Sequence, residues 1–211
     1  FEDQGNFLII QAEEITTRFE KSPLHLNAIN LRNYIKPQPG NSAVEVLQNN
    51  IDAILAQRDS TGVPILPHIN HPNYHYAITV EDFIQLRRER FFEVYNGHPS
   101  VNNFGDSLHI STEEMWDAIN IAYAQNGIPL LYGLATDDSH HYHQFGVGKV
   151  NPGRGWVMVN ADSLSASALI HALEAGRFYA STGVTLEYLE YRHNKLSVTV
   201  QPEADVEYEI Q

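Results

Sequence analysis

The sequence predicts an α/β protein built on a parallel sheet or an α/β barrel, and two observations carry that reading. Short apolar runs alternate with helical segments over most of the chain, and the residues able to do chemistry come directly after those runs. Phe7 to Ala12 (FLIIQA) reads as a buried strand. Ser42 to Gln57 reads as a helix, because Val44, Leu47, Ile51, Ile54 and Leu55 recur at helical spacing. Val63 to Pro67 is a second strand. Thr79 and Asp82 stand at capping-box spacing and open a helix to Arg90, after which Phe91 to Tyr95 is a third strand. Ser111 and Glu114 repeat the capping box for a helix through Ala124 that Gly127 stops, and Ile128 to Ala135 is a fourth strand.

The pattern changes after Asn151-Pro152-Gly153. Trp156 to Asn160 reads as a strand, Ser165 to Ala175 as a helix ended by Gly176, and Leu186 to Ile210 as hairpin-like strands. The expected division is an α/β domain over residues 1–183 and a small β appendage, or the start of a second domain, over 184–211.

Composition narrows the function. The 211 residues carry 13 Lys and Arg against 26 Asp and Glu, a formal charge of −13. A surface of that sign repels phosphate backbones and anionic lipid, which argues against an electrostatic nucleic-acid binder. The absence of cysteine excludes disulfides, thiolate metal sites and a cysteine nucleophile, while leaving oxidising and reducing compartments both open. No run approaches the ~20 apolar residues of a membrane span, and Phe1-Glu2-Asp3 does not begin a signal peptide. The chain is expected to be soluble, periplasmic if an export signal was removed and cytoplasmic otherwise. Its 11 histidines are concentrated, eight of them between His68 and His143, which suggests a metal site of imidazole and carboxylate.

On the predicted map, Glu13 and Glu14 follow the first strand, and His68 and His71 the second. Glu93 lies in the third with Asn96 and His98 beyond it, and Asp137, Asp138 and His140 follow the fourth. The carboxyl ends of strands are where α/β folds bind ligands. Each group has a plainer reading. Two consecutive glutamates are commonly a solvated strand end, His71 in HINHP is as readily a loop residue as a ligand, and Asp-x-His pairs are common in turns. Glu93 suits a ligand or a supporting role equally, and spacing does not place His25. His109, His141, His143, His171 and His193 read as loop or surface positions. A serine hydrolase is disfavoured because no G-x-S-x-G elbow occurs.

The segments QAEEITTRF with HLNAIN, INHPNY, FEVYNG and ATDDSHH, in that order, resemble the PHP (polymerase and histidinol phosphatase) family of metal-dependent phosphoesterases, which have a distorted (β/α) barrel. WVMVNADSLSASALIHALEAGRFYASTGV is similar to the C-terminal segment of the branch with carbaryl-hydrolase-like and microcin-processing-like members. The matches span residues 7 to 184. The resemblance implies that Glu14 bridges metal ions, that His25, His71, Asp138 and His140 complete their shells, and that Glu14, Asp138 and His140 serve catalysis. It leaves His68, Glu93, His98 and Arg154 to support the site or bind substrate. Two or three Zn, Mn or Fe ions would activate a water against a phosphoester, or against a carboxylic or carbamic ester. The family's opening His-x-His strand has no counterpart before Glu14. The implied barrel therefore lacks its first strands, or the chain is a degenerate member used for binding.

Overall fold

Glu20 and Lys21 turn the chain back on itself, Glu20 in the left-handed region at φ 52°, so that β1 (Ala12–Phe19) and β2 (Ser22–Ile29) pair antiparallel along their whole length. In this computed structural model, which describes residue 3 and residues 5–209, that hairpin begins a five-stranded sheet. The predicted features at Phe1, Glu2 and Ile210 lie outside the described residues. β3 (Leu66–Ile69) pairs antiparallel with β2, then β4 (Phe91–Asn96) and β5 (Tyr132–Thr136) add in parallel, giving the order β1-β2-β3-β4-β5.

The distorted (β/α) barrel is thereby overturned. Among the described residues there are nine strands in three small sheets and four helices, and the main sheet is open, with β1 and β5 as its edges. A (β/α) barrel needs every strand parallel and each pair joined by a helical crossover. Here a two-residue turn joins the first two strands, and β2 runs against both its neighbours.

Helices cover one face of this sheet. α1 (Ala43–Thr61) starts at Ser42, whose side chain accepts from the Glu45 amide, and stops at Gly62 in the left-handed region. α2 is a single turn (Val80–Phe83) and α3 runs over Thr112–Gln125, each opened by a full capping box. Their apolar residues Leu47, Ile51, Phe83, Met115 and Ile119 pack on Leu24 and Leu26 of β2, Ile69 of β3 and Phe92 of β4.

Strand alternation turns the intervening residues to the opposite face. At one end that face is apolar. Leu66, Phe91 and Leu134, with Ile29 beside them, are covered by α4 (Ala166–Glu174) and by the two-stranded sheet of β6 (Trp156–Val159) and β7 (Phe178–Ser181). At the other end the same alternation gives His25, Asn27, His68, Glu93 and Thr136. One sheet face therefore changes from hydrocarbon to imidazole and carboxylate within a few residues of each strand.

Several elements depart from the periodicity. Residues 8–11 are not a strand, and Phe7 and Ile9 remain 54% and 53% exposed. The helix expected from Thr79 to Arg90 ends at Phe83, and the chain turns at Arg88 (φ 66°) toward β4. The C-terminal appendage is a hairpin of β8 (Leu186–Arg192) and β9 (Lys195–Val200) through His193 and Asn194, both left-handed as a two-residue hairpin turn requires. Val206 to Glu209, read as strand, carry no regular structure. No helix is long and apolar enough to cross a membrane among the described residues.

Candidate metal centre

Three strands bring Glu14, His25 and His71 together. Glu14 is the third residue of β1 and stands opposite Asn27 of β2, two residues from His25 on the same face. Antiparallel pairing then sets the start of β2 beside the end of β3, where the Asn70 amide donates to the His25 carbonyl and the next residue is His71. One ligand-type atom from each of the three residues lies within 4.8 Å of the others. The strand-end rule accounts for His71 but not for Glu14 or His25, whose placement comes from the hairpin.

The contacts within this group are not those of a satisfied hydrogen-bond cluster. His25 Nδ1 is 3.0 Å from Glu14 Oε1, yet it is buried without a hydrogen-bond partner, since the carboxylate lies off the line of an N–H. His71 Nε2 lies 3.6 Å from the same oxygen, which accepts from the Asn70 side-chain amide at 3.1 Å. The imidazoles of His25 and His71 hold the Glu14 carboxyl well below the usual carboxylate range. Burial pushes the His71 ring down, but Glu14, Glu93 and Asp138 together hold it above its ordinary value. Surroundings that favour a proton on a buried imidazole also favour a divalent cation.

Asp138, His140, His98 and Tyr74 line the same small cavity, of about 100 Å3, with Glu14, His25 and His71. Asp138 has φ 48°, so the Asp-x-His segment is not extended, and the two side chains reach the cavity by a left-handed turn rather than by alternation. His140 Nδ1 is 2.7 Å from the Asp138 carbonyl oxygen. A carbonyl only accepts, so Nδ1 bears the proton and Nε2 is left with a lone pair. His98 has the opposite tautomer: its Nδ1 accepts from the Ser100 amide at 3.1 Å, which leaves N–H on Nε2 of the neutral ring.

The paired aspartates separate cleanly. Asp137 accepts from the backbone amides of Gly153, Arg154 and Gly155 and so ties the 153–155 loop to the end of β5, while Asp138 faces the cavity. Arg154 is not a lining residue; its guanidinium donates to the Lys149 carbonyl.

His68 and Glu93 are buried beneath the cavity. His68 Nε2 is 3.3 Å from Glu93 Oε1, while Glu93 Oε2 accepts from the His71 backbone amide and the Asn96 side-chain amide, each at 2.8 Å. Burial pushes the Glu93 carboxyl up, but His68, His71 and Asn96 outweigh it and keep the group below its ordinary value. Asn96 also donates to Asp138 at 3.3 Å, linking the two sides of the site. Sequence reasoning missed Asn70 and Tyr74, whose ring packs edge-on against His71 at 5.1 Å. Both flank His71 in INHPNY, and the signal available was their place beside a histidine at a strand end.

The donor set suits a borderline divalent ion: the Glu14 carboxylate with two imidazoles, and a second carboxylate and a free imidazole nitrogen across the cavity. The convergence of His25 Nδ1 and His71 Nε2 on one Glu14 oxygen, at 3.0 and 3.6 Å, is the observation that fits a divalent cation best. Comparisons with protein-family models, with curated proteins and with solved structures found no match to this chain.

Proposed function

We propose that the protein is a metal-dependent phosphoester hydrolase whose site is the Glu14, His25 and His71 cluster. The observation that carries this reading is His25 Nδ1, buried 3.0 Å from Glu14 Oε1 without a hydrogen bond, beside a second imidazole and carboxylate in one cavity. Glu14, His25 and His71 would hold one ion, and Asp138 with the free Nε2 of His140 a second. Zn, Mn or Fe bound there supplies Lewis acidity and lowers the pKa of a coordinated water toward ~7.

The chain's own groups do the rest. Glu93 fixes the His71 backbone through its amide, and Asn96 joins Glu93 to Asp138, so the two halves of the site keep their spacing. His98 supplies a hydrogen-bond donor rather than a ligand. Burial, with His140 and His71 nearby, pushes its ring pKa down against the pull of Asp138, so at neutral pH its Nε2–H donates to an ester oxygen. The motif order that resembles the PHP family supports the same chemistry.

Metal analysis and turnover of bis(p-nitrophenyl) phosphate after loading with Mn or Zn test the proposal. Wild type should hold at least one ion per chain and turn over the ester. His71→Ala and Asp138→Asn should each lower kcat/KM by at least about a hundredfold, ~2.7 kcal/mol of barrier. Full metal content and activity in both variants, or no turnover by wild type loaded with Mn or with Zn, would refute it.

A further inference from the structure

Beside the candidate metal centre lies a much larger groove of about 940 Å3, and the two share His25 and Tyr74 as a common wall. Its charged residues are all of one sign: Arg18, Lys21 and Lys36 line it, and no aspartate or glutamate does. That is unexpected in a chain with twice as many acidic as basic side chains. Outside the groove, Arg58 pairs with Glu174 and Arg88 with Asp59, while Arg90 and Arg154 donate to backbone carbonyls. Among the described residues, none of the three groove cations makes an ion pair, and none of their side chains makes a hydrogen bond with the protein.

From these observations we infer that the groove holds a second phosphate of the substrate, beyond the ester group that reacts at Glu14, His25 and His71. This rests on the hydrolase reading and names the substrate class within it: a phosphodiester that carries a further phosphate. Register supports the placement. Glu14, Thr16 and Arg18 alternate onto one face of β1, and Thr16 stands opposite His25, so the strand runs from the metal cluster directly into the groove. Four residue steps of strand take Glu14 to Arg18, about 13 Å along the chain. Pro23, Pro37 and Pro39 form part of the walls, which limits backbone rearrangement on binding. The cations are exposed, so they act on an anion through charge-assisted hydrogen bonds that salt screens.

The test compares two nucleotides that differ by one phosphate, thymidine 3′,5′-bisphosphate and thymidine 5′-monophosphate, by calorimetric binding to the Mn-loaded protein at low ionic strength. Wild type should bind the bisphosphate about tenfold more tightly, the lower range for hydrogen bonds to charged groups. The combined variant Arg18→Gln, Lys21→Gln, Lys36→Gln should bind both equally, and the wild-type preference should shrink as salt is raised. The three sites are exposed, so folding is checked simply by an unchanged unfolding transition, and the single variants report the same ratio should the triple one be unstable. Equal affinities in wild type, or a preference that survives the triple substitution, would overturn the inference. The two readings fail separately: absence of metal-dependent bis(p-nitrophenyl) phosphate turnover with an intact bisphosphate preference defeats the hydrolase and leaves an anion-binding groove.

Discussion

Replacing Glu93 isolates the support beneath the metal cluster from the ligands themselves. The side chain is 2% exposed and faces three groups: His68 Nε2 at 3.3 Å, the His71 amide at 2.8 Å and the Asn96 amide at 2.8 Å. In Glu93→Ala the two amides lose this acceptor in a buried space while His68 Nε2 keeps the Asn27 side-chain amide at 3.0 Å, and at ~1–3 kcal/mol for each unsatisfied group, partly relieved by entering water, the loss should be about 2–4 kcal/mol. Glu93→Gln can keep its oxygen on the two amides and turn its NH2 to His68, whose other ring nitrogen is unpartnered. It should therefore cost only about 1–2 kcal/mol. Because the carboxylate orients a ligand from below, the same variant should weaken Zn or Mn binding by roughly tenfold or more. Urea unfolding of both variants gives the stabilities, and a competitive chelator titration of the glutamine variant gives the affinity. A stability loss under about 1 kcal/mol in Glu93→Ala, or wild-type metal affinity in Glu93→Gln, would refute the supporting role.

Other perturbations test the fold and its linkage to pH. Glu89 is fully buried just before β4, and burial pushes its carboxyl up from 4.5 to about 8 against the pull of the Phe91 and Arg90 amides. The folded state then holds a proton that the unfolded chain releases between those values, so stability should fall as pH rises from about 4.5 to 8. A difference of about 3.5 pK units sets a ceiling near 5 kcal/mol. Glu89→Gln should flatten that slope in urea melts at pH 5 to 8, and an equal slope in the variant would rule the linkage out. Ser111→Ala removes the side-chain half of the α3 capping box, leaving the backbone amide of residue 111 on the Glu114 carboxylate, and should cost about 1 kcal/mol in thermal unfolding; a loss below a few tenths would show that tertiary packing alone holds that terminus.

What was legible in the sequence depended on whether the determinant was local. α1 and α3 stand where the periodicity puts them, within a few residues, because Ser42 and Ser111 cap them and their apolar stripes lie within one segment. The hairpin of β1 and β2 was not legible. Its turn is Glu20-Lys21, neither glycine nor asparagine, and its first strand, AEEITTRF, has only Ile15 and Phe19 as large apolar residues. Missing it left His25 without a place and made a closed barrel the natural extension of four apolar runs. The paired aspartates were equally opaque, since only amides at 153–155 decide that Asp137 is structural and Asp138 is not.

The same nonlocality explains why the clustering of chemical residues survived the loss of the barrel. A barrel would gather ligands at its mouth by making every strand end there. This sheet gathers them by reversing one strand, so that the beginning of β2 meets the end of β3 and a residue early in β1 lies beside both. The cost is that Glu14 and His25 depend on the register of a single hairpin. A one-residue slip there would exchange the faces of Glu14 and Ile15, burying a carboxylate among Ala28, Ile54 and Ile65 and exposing an isoleucine that is now fully buried. Ile15 and its neighbours in the core beneath α1 thus hold the candidate metal cluster in place from the opposite face of the hairpin.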